Sequence, residues 1–379
     1  MRSRIAVARC VHVHHVMRTS HEPRAPAEGP LPSTSPGVPV AMPGRHRFTR
    51  VEGVDLHWAE FGKPSGKPPL VLLHGLNDCY LTWRAIAPLL ATDRLVLVPD
   101  LPGHGLSGRP DASYELRWYA HVMARWFEAL ALDGVDVVGH SFGGGVAQVL
   151  LLECPGRVRR LVLVSSGGLG REIAPSLRLA AIPFVVERLG QPFMGPGTRL
   201  ALKATGDVLS NDEIRALGAM NAQRGSARAF ARTVRDIIDW RGQRHTFFEH
   251  TTELSHLPAI AVFWGNRDSV IPPAHAQALA GAVEGVRVVL FDGCGHYPHH
   301  EQPDAFMLAL RNFLDDPAAP KARLREARAE QPRSLLSSWL APSRPPLLWQ
   351  KGGSHPPLGR STGGAARGAD RPSEASSSA

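Results

Sequence analysis

The 379-residue chain is 43% hydrophobic and 20% charged, ordinary values for a soluble globular protein and enough to build one large domain or two small ones. Its formal charge of +9 sits at the ends: residues 1–47 hold seven arginines against two acids, and residues 316–379 hold ten basic against five acidic residues, which leaves residues 48–315 at −1. That distribution argues against a nucleic-acid surface on the folded part, and no apolar run approaches the length of a membrane span.

The four cysteines, Cys10, Cys79, Cys154 and Cys294, have neither C-x-x-C nor zinc spacing and read as reduced thiols of a cytoplasmic protein. The N-terminus starts basic, but Arg9, His12, His14 and His15 interrupt the apolar stretch and no clean cleavage site follows. A secretory signal is not expected. Residues 1–46 read as a disordered leader, or as an over-extended start with Met42 as the true beginning.

Order is expected from Phe48. Residues 47–52 and 54–61 form a hairpin about Gly53, the second arm alternating through Val54, Leu56 and Trp58. Residues 70–73 make a buried strand that ends at His74-Gly75-Leu76-Asn77. A helical segment near 83–90, a strand at 95–98, the loop from Asp100 to Ser107 and a long amphipathic helix over 114–132 follow. Residues 135–138 are the fifth strand, 144–153 a helix and 161–165 the sixth strand.

From Gly167 to about His256 helical spacing is broken by Pro175, Pro183, Pro192 and Pro196, with no convincing strand. Alternation resumes with a strand at 260–264, a helix at 273–282, a strand at 286–291 and a helix at 304–314. Beyond Asp315 the composition predicts a mostly disordered basic tail, with a short helix near 321–330 left open. Strands alternating with helices predict an α/β fold, a mostly parallel sheet covered by helices on both faces. The helical insertion after the sixth strand would stand above the carboxyl ends of the strands as a lid. The expected division is a leader at 1–46, core at 47–166, lid at 167–256, core at 257–315 and tail at 316–379.

Between the fifth strand and the next helix lies Gly139-His140-Ser141-Phe142-Gly143, a G-x-S-x-G. A strand that turns into a helix at one residue bends sharply there, and a Cβ at Gly139 or Gly143 would collide across the bend. Ser141 is thereby raised at the apex, with the N–H of Phe142 at a helix start beside it. Taken alone, the motif fits a helix-capping serine equally well.

Its surroundings resemble an α/β-hydrolase of the lid-bearing serine type, a group that includes esterases and carbon–carbon bond hydrolases. The resemblance rests on His74-Gly75 after a strand, Asp100-Leu-Pro-Gly-His-Gly-Leu-Ser107, the Ser141 motif, Trp264-Gly-Asn-Arg-Asp268 with Ile271-Pro272, and Gly295-His296 followed by Glu301 and Pro303. It spans residues 48–315 and leaves the tails and the lid uncovered. It implies a catalytic set of Ser141, Asp268 and His296 in the chain order this fold uses. Within it His296 is preferred over His299 and His300, and Asp268 over Asp292. Asp100 precedes the serine and reads as a loop-shaping residue.

The resemblance also implies an oxyanion hole from the backbone N–H groups of Leu76 and Phe142, with His74, Gly75 and Asn77 as supporting or pocket residues. Serine rather than aspartate at the apex argues against haloalkane dehalogenases and epoxide hydrolases. No Walker loop or H-E-x-x-H occurs, so neither cofactor nor metal is implied. The expected partner is a small-molecule acyl substrate, of small to medium size if Ile182, Phe184, Val185, Phe193 and Trp240 line the site, and a homodimer is left open. Cleavage of an ester, cleavage of a C–C bond in a vinylogous diketone, and a non-catalytic ligand-binding role all remain compatible with these residues.

Overall fold

The computed structural model describes residues 44–154, 156–179, 183–205, 209–247 and 257–325. The expectations for the leader, for most of the tail and for Ile182 and the Phe184 side chain lie outside these residues. The first hairpin forms from Arg45–Val51 (β1) and Val54–Phe61 (β2), turning at Glu52 and Gly53, both with positive φ. Leu70–Leu73 (β3) is buried throughout. The helix expected near 83–90 is instead a 3-10 turn over Tyr80–Trp83 and one α-helical turn, Ala87–Leu90 (α1). Pro88 accounts for the break, because its ring cannot follow a helical carbonyl at Arg84.

The chain continues through Val96–Pro99 (β4), Leu116–Ala129 (α2), Val135–His140 (β5), Phe142–Glu153 (α3) and Val158–Val164 (β6). The insertion holds Pro175–Leu179 (α4), Pro183–Leu189 (α5), Gln191–Thr205 (α6), Asn211–Asn221 (α7) and Ser226–Ile237 (α8). Prolines that looked like breakers open α4 and α5, where the missing N–H costs nothing. A capping box between Ser210 and Glu213 starts α7. A two-residue ribbon, Ile238–Asp239 (β7) with Gly242–Gln243 (β8), corrects the expectation of no strand here; arms that short carry no periodicity to read.

The second half of the core comprises Ala259–Gly265 (β9), Ala274–Ala282 (α9), Val283–Glu284 (β10), Arg287–Phe291 (β11), Pro298–Glu301 (α10) and Pro303–Leu314 (α11). Arg323–Leu324 (β12) then pairs antiparallel with β10. Residues 316–325 pack back on the core, with Asp316 accepting from Arg287 Nη2 at 2.6 Å; of the helix left open at 321–330, residues 323–324 are strand and 326–330 lie outside the described residues.

Eight strands form one sheet in the order β1-β2-β4-β3-β5-β6-β9-β11, antiparallel at β1–β2 and β2–β4 and parallel beyond. Side chains alternate between its faces. Val137, Leu161, Val262 and Trp264 pack on one side with α2, α3 and α9. Val138, Val162, Val164 and Phe263 pack on the other with Trp83, Phe306, Leu310 and Phe313. Strand order reverses between β3 and β5, since β4 lies on one side of β3 and β5 on the other. The carboxyl ends of these two neighbours therefore flank the crevice where open α/β sheets hold ligands.

Candidate active site

Ser141 stands where β5 ends and α3 begins, with φ 51° and ψ −116°. A left-handed backbone is costly for a residue with a Cβ, and here it is held by Ser141 N donating to Val164 O at 2.9 Å. A Cβ on Gly139 would come within 2.5 Å of Gly143 O, and one on Gly143 within 2.4 Å of His74 O. Both positions must be glycine for the bend to close. Phe142 is the first residue of α3, so its N–H has no carbonyl one turn back to bond within the helix. The Gly75–Leu76 backbone lies alongside: an ideal Cβ on Gly75 would sit 3.4 Å from Ser141 Cβ.

His296 follows β11 and Asp268 follows β9. His296 Nδ1 meets Asp268 Oδ2 at 2.8 Å, with the carboxylate fully buried and the imidazole side chain 9% exposed. Asp268 Oδ1 is occupied separately, accepting from Val270 N at 2.8 Å and Ile271 N at 3.0 Å. With Nδ1–H committed to the carboxylate, the other ring nitrogen, Nε2, keeps its lone pair. The residue before Ser141 ties the two loops together: His140 Nε2–H donates to His296 O at 2.9 Å. No hydrogen bond joins Ser141 Oγ to the His296 ring in this arrangement. Such a contact often tightens only when substrate is bound.

Two further devices hold the His296 loop. Arg267 N donates to Cys294 O at 2.8 Å, and Gly265 lets the two loops touch, since a Cβ there would lie 2.0 Å from Gly295 O. Glu301 accepts from Gly295 N at 2.8 Å and from Tyr297 N at 3.2 Å, clamping the backbone on both sides of the imidazole. The sequence pattern contained Glu301 but not this role, and it gave no role to His140. Replacing Glu301 by alanine is expected to lower kcat/KM about ten- to a hundredfold through misplacement of the ring, with Glu301→Gln intermediate. Steady-state kinetics on the two variants checks this.

The other candidate residues have partners of their own. His299 is buried, stacks on Trp83 with centroids 4.5 Å apart and lies 3.2 Å from Thr82 Oγ1. His300 donates to Thr82 O at 2.6 Å. Asp292 accepts from Asn266 Nδ2 at 2.6 Å. Asp100 is a loop anchor, holding His57 Nδ1 at 2.7 Å, Tyr80 N at 2.7 Å and Leu106 N at 2.8 Å. His74 donates from Nδ1 to Gly75 O at 2.8 Å and accepts from Leu101 N at Nε2, 2.9 Å. It ties the two loops together, and burial holds it below the ordinary histidine range against the opposing pull of Asp100.

A pocket opens beside the Leu76 loop, walled by Leu76, Leu81, Leu202, Leu209 and Leu217, with Asn77 and Tyr297 also lining it. Arg84 and Glu213 form an ion pair across its wall. Of the apolar residues expected to line the site, Val185, Phe193 and Trp240 do not line this pocket and are 60%, 70% and 75% exposed. Their helical spacing signalled an apolar stripe without saying which way it faces. Among the described residues no group of three or more His, Cys, Asp or Glu could hold a metal ion, and no helix is long and apolar enough to cross a membrane.

A mostly parallel sheet with a strained serine at a strand–helix elbow and a His–Asp pair on later loops defines the class of α/β hydrolases. The chain belongs to that family: the alpha/beta hydrolase fold matches residues 68–303. It is 34% identical over 281 residues to an uncharacterised protein of Mycobacterium tuberculosis, covering 69% of this chain and 82% of that protein. It is 31% identical over 254 residues to a 2-hydroxymuconate semialdehyde hydrolase of a Pseudomonas strain, covering 65% and 86%. In fold it is similar to an α/β hydrolase fold protein from Burkholderia ambifaria, with a TM-score of 0.61 and 23% identity over 72% of this chain and 97% of that one.

Proposed function

We propose that the protein is a cofactor-independent serine hydrolase acting on a carboxylic ester or related acyl bond of a small to medium apolar substrate. The observation that carries this reading is the 2.8 Å contact of His296 Nδ1 with the buried Asp268 carboxylate, next to the Ser141 elbow. His296 Nε2 takes the Ser141 proton, and Oγ attacks the carbonyl carbon. The N–H groups of Leu76 and Phe142 hold the tetrahedral oxyanion. The leaving group departs with the proton from His296, and water repeats the sequence on the acyl-enzyme. Helices α4–α8 act as a lid over the pocket in this reading, so that residues 47–166 and 257–315 are the core and 167–256 the inserted cap. A cytoplasmic location accompanies it, supported by the free, buried Cys79, Cys154 and Cys294.

A second reading, C–C bond cleavage in a vinylogous diketone, is favoured by the 31% identity to the Pseudomonas semialdehyde hydrolase. The same serine, histidine and aspartate would serve it. A fluorophosphonate probe with a panel of p-nitrophenyl esters, thioesters, lactones and vinylogous diketones separates the possibilities. Labelling at Ser141 with turnover of short esters is the expected result. Labelling with turnover of diketones alone would establish the second reading, and a chain that neither labels nor turns over would leave only ligand binding.

A further inference from the structure

The residue that follows the proposed oxyanion donor Leu76 is Asn77, held in a left-handed conformation at φ 59°. It is bound on both its backbone and its side chain by the inserted helices. Asn221, the last residue of α7, donates from Nδ2 to Asn77 O at 2.8 Å. Asn77 Nδ2 donates to Thr198 Oγ1 of α6 at 3.0 Å, and Asn221 Nδ2 reaches the same oxygen at 3.3 Å. The Thr198 hydroxyl passes its own proton to Met194 O at 2.7 Å. One hydroxyl thus uses its single hydrogen and both lone pairs, which leaves it no freedom to rotate. Thr198 and Asn221 are both buried. Gln191 at the start of α6 donates to Ala222 O at 3.0 Å and Gln223 O at 2.8 Å, which ties the start of α6 to the end of α7.

We propose that Thr198 and Asn221 are positioning residues for the oxyanion hole, fixing the Leu76–Asn77 backbone so that the Leu76 N–H faces the Ser141 elbow only when α6 and α7 are seated. The inference rests on the serine-hydrolase reading above and deepens it. Strand β3 supplies the loop but ends at Leu73, three residues short of Leu76. His74 fixes the carbonyl of Gly75 on one side of Leu76, and the α6–α7 pair fixes Asn77 on the other. A donor is useful to a transition state only if its direction is set before charge develops. Seating of the two helices over a substrate and completion of the hole are therefore one event.

The test compares wild type with Thr198→Val, which keeps the shape and removes the hydroxyl, with Thr198→Ser, which restores it, and with Asn221→Ala. Each is assayed for p-nitrophenyl butyrate turnover, fluorophosphonate labelling rate, inhibition by phenylboronic acid as a tetrahedral mimic, and thermal midpoint. The expected result is a fall in kcat of about tenfold or more in Thr198→Val and Asn221→Ala, below the hundredfold or greater loss typical of deleting a donor outright. Boronate affinity should fall in parallel, KM should stay within about twofold, and Thr198→Ser should recover most of kcat. Wild-type kcat in Thr198→Val and Asn221→Ala, or a loss confined to KM, overturns the tether while leaving the hydrolase intact. If one of them does not fold, the other and the Ser rescue decide by the same criteria. A wild-type chain that neither labels nor hydrolyses the ester overturns the hydrolase reading and the tether with it.

Discussion

Replacing Ser141 by alanine should lower kcat/KM by about 10⁴-fold or more while leaving the fold intact, because the hydroxyl makes no hydrogen bond on which folding depends and the backbone strain at φ 51° is unchanged by the substitution. Glycine at the same position should do something further. A left-handed residue with a Cβ carries a strain of order 1–3 kcal/mol, which Gly releases. Part of that gain is returned because glycine gains more freedom in the unfolded chain. Ser141→Gly is therefore expected to be equally inactive but to melt above Ser141→Ala, a sign that the elbow trades stability for the exposed nucleophile.

Asp268→Asn tests the same assembly from the other end. Asparagine can still accept from Val270 N and Ile271 N through its oxygen, which turns its NH₂ toward His296 Nδ1. The ring must then take the tautomer with hydrogen on Nε2, and it can no longer receive the serine proton. A loss of about 10⁴ in kcat is expected, and the double variant Ser141→Ala with Asp268→Asn should lose little beyond Ser141→Ala alone. Additive losses would mean that the two residues do not act as one unit.

How much of this could be read beforehand differs residue by residue. The bend at Ser141 was legible because a strand that turns into a helix at one residue writes its steric needs into sequence as two glycines at fixed offsets. The sheet strands were legible because strands covered on both faces read as unbroken apolar runs, as in β3 and β5. Long-range polar pairing writes nothing local. Asp136 sits inside the apolar run of β5, and its burial is tolerable only because Arg159 Nη2 on the neighbouring strand β6, at 2.6 Å, and Arg94 Nη1 from the loop before β4, at 3.3 Å, reach it. The same holds for His140 with His296 O and for Asn77 with Thr198 and Asn221. The partners lie 23 and 42 positions apart for Asp136, 156 for His140, and 121 and 144 for Asn77, and no local pattern announces any of them. The outward-facing Val185, Phe193 and Trp240 illustrate the complementary limit, since periodicity identifies a stripe but not its direction.

The second large effect expected is a steep loss of stability on mild acidification. Four histidines are held well below the ordinary range, in each case first by burial: His140 and His299 far below it, His300 to about 4 and His104 to about 3. Neighbouring histidines push His140, His299 and His104 the same way, whereas the hydrogen bond from His300 to Thr82 O opposes its shift. His74 is lowered too. In the unfolded chain each titrates near 6.5. The native contribution is therefore complete above that pH. As pH falls below about 6.5 the unfolded chain takes up protons that the folded one refuses, and stability declines toward the folded values. Each such group costs at most about 1.4 kcal/mol per pH unit, so four approach about 5–6 kcal/mol per unit, a large share of a typical total of about 5–15 kcal/mol. Asp100, held below the usual carboxylate range by His57 against the cost of burial, adds loss of the same sign at still lower pH. Urea unfolding at pH 7.5, 6.5 and 5.5, followed by tryptophan fluorescence, reads the effect directly, since Trp83 stacks on His299. The midpoint should hardly move between the first two values and should drop sharply at the third, and a midpoint that stays level down to pH 5.5 would mean that these imidazoles reach water when protonated.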